Sequence, residues 1–281
     1  MKNDRRLWLK ALAASPLFAV LPALADDLAK IRERGRLRIA VYNDFPPYAM
    51  SGGKGIDADL GRAIAAKLGL APEIVGFNAD EDMNDDLRNM VWKGHYLGTQ
   101  PADLMLHVPV DEHLARANDK VRIFGTYHRE SLALVRNPQR IPALAGSAAV
   151  ALEIFTREKI GVETATLGDS FLLSVLNGRL RENVVHFTSI SEAAKGLADG
   201  RVSAIFGARA EIESALAGQG RFVIEAPKFA ELKIDSWPLG MAVKAEEAGL
   251  AEAVGAALAE LKRDGSIAAI FKQHGISYLP G

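Results

Sequence analysis

The order of apolar segments along the chain constrains its fold more than any other feature. Strand-like segments at 37–41, 73–77 and 103–108 alternate with helical patterns over 57–68 and 80–92. In the first helical pattern, Leu60, Ile64 and Leu68 recur on one helix face, and Asp57 is predicted to cap its start. This βαβαβ order predicts a mainly parallel sheet covered by helices, because parallel neighbours need long crossover connections.

The second half of the chain repeats this order. Strands are predicted at 148–152, 183–187 and 202–206, with helices at 171–176 and 193–197. Ser189 and Glu192 have the spacing of a capping box at the start of the second of these helices. Two further helices, at 250–262 and 266–274, close the chain. No low-complexity linker separates the halves, so we expect two α/β lobes joined by extended crossings.

The N-terminus has the three parts of an export signal. A basic start with Arg5 and Arg6 precedes an apolar run over 11–21 and a small-residue cleavage site ending at Ala25. The consecutive arginines favour the twin-arginine route. A membrane anchor would need about 20 apolar residues, and Pro22 interrupts the run. We therefore predict a signal peptide over 1–25, a periplasmic location, and no membrane insertion after cleavage.

The composition excludes several function classes. The chain contains no cysteine, which excludes thiol catalysis, thiolate metal sites and disulfides. Removal of residues 1–25 takes away four of 34 basic residues and one of 35 acidic residues, which leaves a net charge of −4. An acidic mature chain does not suggest nucleic acid as a partner.

Four segments carry a resemblance to a known family. They read LRIAVYNDFPPY at 37–48, GIDADLGRAI at 55–64, GRVSAI at 200–205 and AELKRDGSIAAIF at 259–271. With the export signal, they resemble family 3 of the periplasmic solute-binding proteins, the polar amino-acid binders of ABC importers. The resemblance implies a monomer with a ligand cleft between two lobes, formed by 26–130 with 238–281 and by 131–237. It also implies two hinge crossings, near 130–134 and 237–240.

The devices with which this family holds an amino acid are missing here. His113 or Leu114 stands where the resemblance implies an arginine that clamps the ligand carboxylate. Glu153 lies in the segment matched to a Gly-Thr-Thr turn, and Gly207-Ala208-Arg209 replaces an aspartate that would meet the ligand ammonium. A zwitterion in a desolvated cleft needs partners for both charges. We therefore predict a divergent member whose ligand is not a standard α-amino acid.

Other residues are left to form the predicted cleft. The aromatic pair Phe45 and Tyr48 occupies positions where the family stacks a ring on its ligand, although either ring could instead pack the core. Four of the six histidines fall between 95 and 128, but their spacing fits no standard metal motif. We predict no metal, no cofactor and no catalytic residue. The predicted ligand-binding residues are Asp44, Phe45, Tyr48, His107, Asp111, Arg129, Glu130 and Glu153.

Three functions stay open, and we favour a receptor for a small polar solute that serves an ABC permease. The first alternative is an accessory protein of a periplasmic quinoprotein dehydrogenase. In that case the acidic run 80–86 would dock a basic partner such as a cytochrome, although acidic residues also favour a helix N-terminus. The second alternative is an enzyme similar to cyclohexadienyl dehydratase, with Glu153 or Asp111 as its acid. We predict a binding protein and not an enzyme.

Overall fold

The computed structural model describes residues 26–281, so the predicted signal peptide lies outside the described residues. Within that range the chain forms one long mixed sheet and a small two-stranded hairpin. The strands are β1 (Arg36–Tyr42), β2 (Asp44–Phe45), β3 (Ala49–Met50), β4 (Ala71–Phe77), β5 (Leu104–Pro109), β6 (Val121–Arg136), β7 (Ile160–Glu163), β8 (Val184–Phe187), β9 (Ala204–Ala208), β10 (Val223–Glu225) and β11 (Ser236–Lys244).

Helices cover both faces of this sheet. A π-helical turn over Arg88–Trp92 and short 3₁₀ turns at Glu153–Thr156, Val175–Gly178 and Arg181–Asn183 supplement them. None of the helices within residues 26–281 has the length and apolar character to cross a bilayer. The helices are α1 (Asp26–Arg34), α2 (Ile56–Lys67), α3 (Met83–Leu87), α4 (Glu112–Ala117), α5 (Ala148–Ala151), α6 (Leu167–Ser174), α7 (Ile190–Ala198), α8 (Arg209–Ala215), α9 (Ala248–Arg263) and α10 (Ser266–Gln273).

The sheet order is β4-β1-β5-β11-β6-β9-β7-β8, with β10 on the far half of β6. Pairs β1–β4, β1–β5, β7–β8 and β7–β9 are parallel, as the βαβ pattern predicts. Strands β5, β6 and β11 pair antiparallel. Strand β6 pairs with β11 as far as Ser131 and with β9 from Leu132 onward. The two halves of the sheet therefore meet where β6 changes partner.

The hydrophobic core is divided at the same place. One large cluster draws mainly on residues from Ile31 to Tyr127 and from Leu239 to Ile276. Two smaller clusters draw on residues between Leu132 and Phe229. The α/β, two-lobed architecture predicted from the alternation of segments is confirmed. Movement of one half against the other stays a prediction.

Two local predictions were wrong. Segment 148–152 is not a strand but helix α5, in which Val150 is 69 % exposed, so its apolar run does not mark a buried strand. The strand that the prediction missed is the four-residue β7. Asp57 does not cap α2: the cap position is Gly55, at φ 111°. A Cβ there would lie 2.4 Å from the carbonyl oxygen of Tyr48, which explains the glycine.

The acidic residues of the run 80–86 mainly form hydrogen bonds within their own lobe. Helix α3 is shorter than predicted, and Asp82 caps it by accepting from two backbone N–H groups. Asp86 is buried and accepts a 2.7 Å hydrogen bond from Tyr42 Oη. Asp80 accepts from the side chain of Asn89 at 2.7 Å. These contacts give the run a structural role as a helix start.

Candidate ligand-binding cleft

A cavity of about 510 Å³ opens beside the ends of β1 and β5. Its size is typical of small-molecule sites. Asp44 and Asn78 contribute polar groups to its wall. The remaining wall is mainly apolar and aromatic, and includes Tyr42, Phe45, Met83, His107, Trp237 and Leu239.

An aromatic corner forms one wall of this cavity. The ring of Phe45 stacks on Tyr48 with centroids 5.8 Å apart and meets His107 edge-on at 4.7 Å. Tyr42 meets Phe45 edge-on at 5.9 Å. Edge-to-face pairs of this kind stabilise ring positions beyond simple area burial. The corner therefore holds Phe45 in a defined orientation while leaving it only partly buried.

His107 reaches the cavity through a bulge in β5. Val108 pairs with Gly240 and Leu106 with Met241, so His107 has no opposite residue. Its φ of 64° is left-handed. A bulge bends a strand and re-aims a side chain, and bulges are frequent near functional sites.

A buried carboxylate orients the His107 ring. Nδ1 lies 3.1 Å from Oδ2 of Asp57, whose other oxygen accepts a 2.7 Å hydrogen bond from Tyr127 Oη. Asp57 is fully buried, and His107 is 8 % exposed. Because a carboxylate accepts, Nδ1 donates to it. The second ring nitrogen, Nε2, has no hydrogen-bond partner among residues 26–281, and the His107 side chain is part of the cavity wall.

Behind this wall, Tyr48 and Glu130 form a buried pair. Tyr48 Oη donates to Glu130 Oε2 at 2.5 Å, and the backbone N–H of Ser131 donates to Oε1 at 2.7 Å. Burial raises the pKa of Glu130, and these hydrogen bonds oppose the rise. Burial also raises the pKa of the Tyr48 hydroxyl well above its usual range. This pair joins the aromatic corner to the point where β6 changes partner.

A smaller cavity of about 150 Å³ lies on the other half of the sheet. Trp237 lines both cavities, so the two walls face a common cleft. The smaller cavity is bordered by Leu132, Glu163, Ile190, Gly207, Glu211 and Trp237.

Two carboxylates in this second wall are unusual. The Glu163 carboxylate accepts from the backbone N–H of Ile190 at 3.1 Å, and burial raises its pKa. Burial, together with the charges of Glu163 and Glu130, raises the pKa of Glu211 to about 8. Within residues 26–281, the side-chain carboxyl group of Glu211 makes no hydrogen bond and no ion pair. At neutral pH this carboxyl group is therefore mainly protonated.

The structure brings five of the eight predicted ligand-binding residues to this region. Asp44, Phe45 and His107 line the larger cavity. Tyr48 is 1 % exposed and Glu130 is 3 % exposed, so both lie behind the wall and not on it. Tyr48 thus follows the alternative interpretation, in which one ring of the aromatic pair packs the core.

The other three predicted residues lie elsewhere. Asp111 is exposed and caps α4 by accepting from Leu114 N at 2.8 Å. Arg129 is exposed, and it alternates on β6 with Glu130, so the two side chains point to opposite faces. Glu153 forms a 2.6 Å ion pair with Arg179, outside both cavities. Of these three, only Glu153 lies beside a wrongly assigned segment, the run at 148–152.

The helix N-terminus on the second wall is not at 151–156, where the resemblance placed it. It follows β7, where Ala165 has φ 63° and Thr166 caps α6. The Ala165 N–H donates to Asp169 Oδ2 at 2.9 Å, and the Asp169 N–H donates to Thr166 Oγ1 at 3.2 Å. Side chains of the turn itself therefore satisfy backbone donors that an anionic ligand would use.

Sequence reasoning missed Trp237, Glu163 and Glu211 as wall residues. Trp237 was visible only as part of a predicted crossing, and Glu163 lies at the end of the missed strand β7. Glu211 is two residues beyond the Gly207-Ala208-Arg209 segment and lies in the first turn of α8. Arg209 turns away from the cleft and pairs with Glu213 at 2.7 Å. Among the residues described, no three His, Asp or Glu side chains lie together in a group that could hold a metal ion.

No protein-family model matches the chain, and no curated protein matches it in sequence. Solved structures do match. A mutant of ArgBP from T. maritima has TM-score 0.57 at 22 % identity, covering 88 % of this chain and 98 % of its own. An ancestral cationic amino acid solute binding protein, AncCDT-1, has TM-score 0.68 at 19 % identity, covering 88 % and 99 %. A solute receptor for L-cysteine of Neisseria gonorrhoeae has TM-score 0.56 at 21 % identity, covering 88 % and 92 %. The chain therefore has the two-lobed fold of solute-binding proteins.

Proposed function

We propose that this protein captures a small solute in the cleft between its lobes, in the periplasm, and delivers it to an ABC permease. The observation that carries the proposal is that Trp237 lines both cavities, one on each half of the sheet. A ligand between them would touch both lobes and favour the closed arrangement. The position is the one at which the two-lobed fold places its cleft.

The solute we propose is not a standard α-amino acid. Neither cavity is lined by a Lys or Arg side chain among the described residues. The turn at Ala165 uses its own side chains to bind backbone donors. A ligand carboxylate entering this cleft would lose water without gaining a charged donor, which is strongly unfavourable.

Hinge closure at the change of partner in β6 is part of the proposal. Ser131 marks this point, and its buried hydroxyl has no hydrogen-bond partner within residues 26–281. Strands that continue through both lobes can act as hinges because a few residues absorb the change in backbone angles. Closure would bring the wall around Phe45 toward the wall around Glu211.

A thermal-shift screen of residues 26–281 against amines, carboxylates, sugars and amino acids tests the function. A ligand at about 100 times its Kd adds about 2.7 kcal/mol to the free energy of unfolding, which raises the Tm of a chain of this size by about 5 °C. Phe45→Ala should reduce the response by about half or more. Tyr96→Ala should leave it unchanged, because Tyr96 is 86 % exposed and outside both cavities.

Three results would contradict the proposal or a part of it. A flat response to every solute, from protein shown by native mass spectrometry to be empty, would remove solute capture. A response to standard amino acids that matches or exceeds every other class would keep solute capture but remove the assigned ligand class. A response insensitive to Phe45→Ala would place the binding site elsewhere.

A further inference from the structure

Among residues 26–281, the second wall of the cleft contains two carboxyl groups and no basic group. Glu163 and Glu211 both line the smaller cavity. Glu163 has one backbone donor, from Ile190, and Glu211 has none among residues 26–281. Carboxylates removed from water need a compensating charge or several donors. In this cavity the described residues supply neither.

The basic side chain nearest in sequence is already engaged. Arg209 begins α8, the helix that carries Glu211, but its guanidinium is bound to Glu213 at 2.7 Å. The further charged group that acts on Glu211 is Glu130, from β6, which adds repulsion. Two acidic groups of the wall, Glu163 and Glu211, and the buried Glu130 behind the facing wall therefore come from three elements and act on the same region. A positive ligand would relieve that repulsion, and a negative ligand would increase it.

The facing wall suits the apolar part of such a ligand. Tyr42, Phe45 and Trp237 present aromatic surface to the larger cavity. Aromatic faces attract cations as well as apolar groups. His107 lines the same cavity and is 8 % exposed. Its Nε2 has no partner among residues 26–281 and can accept a hydrogen bond from an N–H or O–H of the ligand.

We propose that the cleft binds an organic ammonium ion with an apolar body and no carboxylate. This proposal rests on the proposed solute-binding function. The ammonium group would lie between Glu163 and Glu211, and the apolar body between Phe45 and Trp237. Binding would favour the ionised form of Glu211, which at neutral pH must release its proton when the cation enters. Binding of the cation should therefore release a proton from Glu211, whereas binding of an uncharged apolar ligand should not.

Isothermal titration calorimetry with three phenyl compounds tests the charge preference. The probes are 2-phenylethylammonium, 2-phenylethanol and phenylacetate, which share a ring and differ in charge. We expect the ammonium to bind about 10- to 100-fold more tightly than the alcohol, the range for a hydrogen bond to a charged group. We expect phenylacetate to bind most weakly.

Variants assign the effect to the second wall. Glu211→Gln keeps the size of the side chain but removes the charge, so the affinity for 2-phenylethylammonium should fall about 10- to 100-fold. The affinity for 2-phenylethanol should change little. Glu153→Gln is the matched control, because Glu153 lies outside both cavities. It should leave both affinities unchanged.

Proton release is measured by repeating the titration near neutral pH in two buffers of different ionisation enthalpy. Wild-type protein should release up to one proton on binding 2-phenylethylammonium, and Glu211→Gln should release markedly less. Equal heats in the two buffers for wild-type protein would overturn the role of Glu211.

The remaining outcomes separate this inference from the function on which it rests. Phenylacetate binding that equals or exceeds that of the ammonium would overturn the ligand class. If that binding still required Phe45, solute capture in the cleft would stand. Absence of 2-phenylethylammonium binding at millimolar concentration would also overturn the ligand class, and only a flat solute screen would remove the function itself.

Discussion

Substituting Glu211 by glutamine should change how the stability of the empty protein depends on pH. The pKa of Glu211 is raised from 4.5 to about 8 by burial and by the charges of Glu163 and Glu130. A raised pKa means that the folded state holds the proton more tightly than the unfolded state. Stability is therefore fully present below about pH 4.5 and is lost as the pH rises toward about 8. Glutamine removes this loss.

The size of the effect follows from the shift. The full difference between the two pKa values corresponds to about 5 kcal/mol once the pH exceeds about 8. Between about pH 5 and about pH 7, the part attributable to Glu211 is about 2 to 3 kcal/mol. For a chain of this size, that range corresponds to a change in Tm of about 5 °C.

The free energy of unfolding is measured with urea for wild-type protein, Glu211→Gln and Glu153→Gln, at about pH 5 and at about pH 7. Wild-type protein and the Glu153→Gln control should lose stability in parallel as the pH rises. Glu211→Gln should lose about 2 to 3 kcal/mol less. Parallel curves for all three proteins would refute the reasoning, because they would show that Glu211 has the same proton affinity in the folded and unfolded states.

Three further substitutions test the wall around Phe45 and the C-terminal tail, residues 277–281, which follows α10. Phe45→Ala should weaken binding of 2-phenylethylammonium by about tenfold or more. It should reduce the free energy of unfolding by only about 1 to 2 kcal/mol, since the ring is partly exposed. An unchanged affinity in calorimetry would remove Phe45 from the site. Tyr48→Phe removes the 2.5 Å donor to buried Glu130, so urea unfolding should show a loss of about 1 to 3 kcal/mol, and an unchanged midpoint would contradict this. Ser277→Ala removes the hydroxyl that donates to Glu213 at 2.8 Å; because the contact is exposed, we expect a loss of about 0.5 to 1.5 kcal/mol, and a larger loss would indicate that the tail is essential to the fold.

Local signals predicted most of the elements that position the cleft. The strand and helix alternation was read correctly for β1, β4 and β5, which form parallel neighbours. The helix start at Ser189 was also correct, since Ser189 accepts from Glu192 N at 3.2 Å. The predicted capping box is only half formed, because the Glu192 carboxylate accepts from Lys195 Nζ. Such features depend on residues a few positions apart, whose periodicity and capping chemistry are visible along the chain.

The wrong segments show where local signals become ambiguous. The run at 148–152 is apolar and short, and length or periodicity cannot separate a buried strand from a helix there. The true strand, β7, has only four residues and includes Gly161, a residue that weakens a strand signal. That single error displaced the helix N-terminus and led to Glu153, which lies outside the cleft.

The sequence by itself determined the α/β alternation, the expectation of two lobes, and the closeness of Phe45 and Tyr48 along the chain. Only the tertiary structure decided the chemistry of the cleft. Asp57 orients His107 across 50 positions of sequence, and Glu211 acquires its raised pKa from burial and from carboxylates on two other elements. Burial and charge coupling depend on distances through space. No local pattern records them, because the elements that meet at the cleft are separated by long stretches of chain.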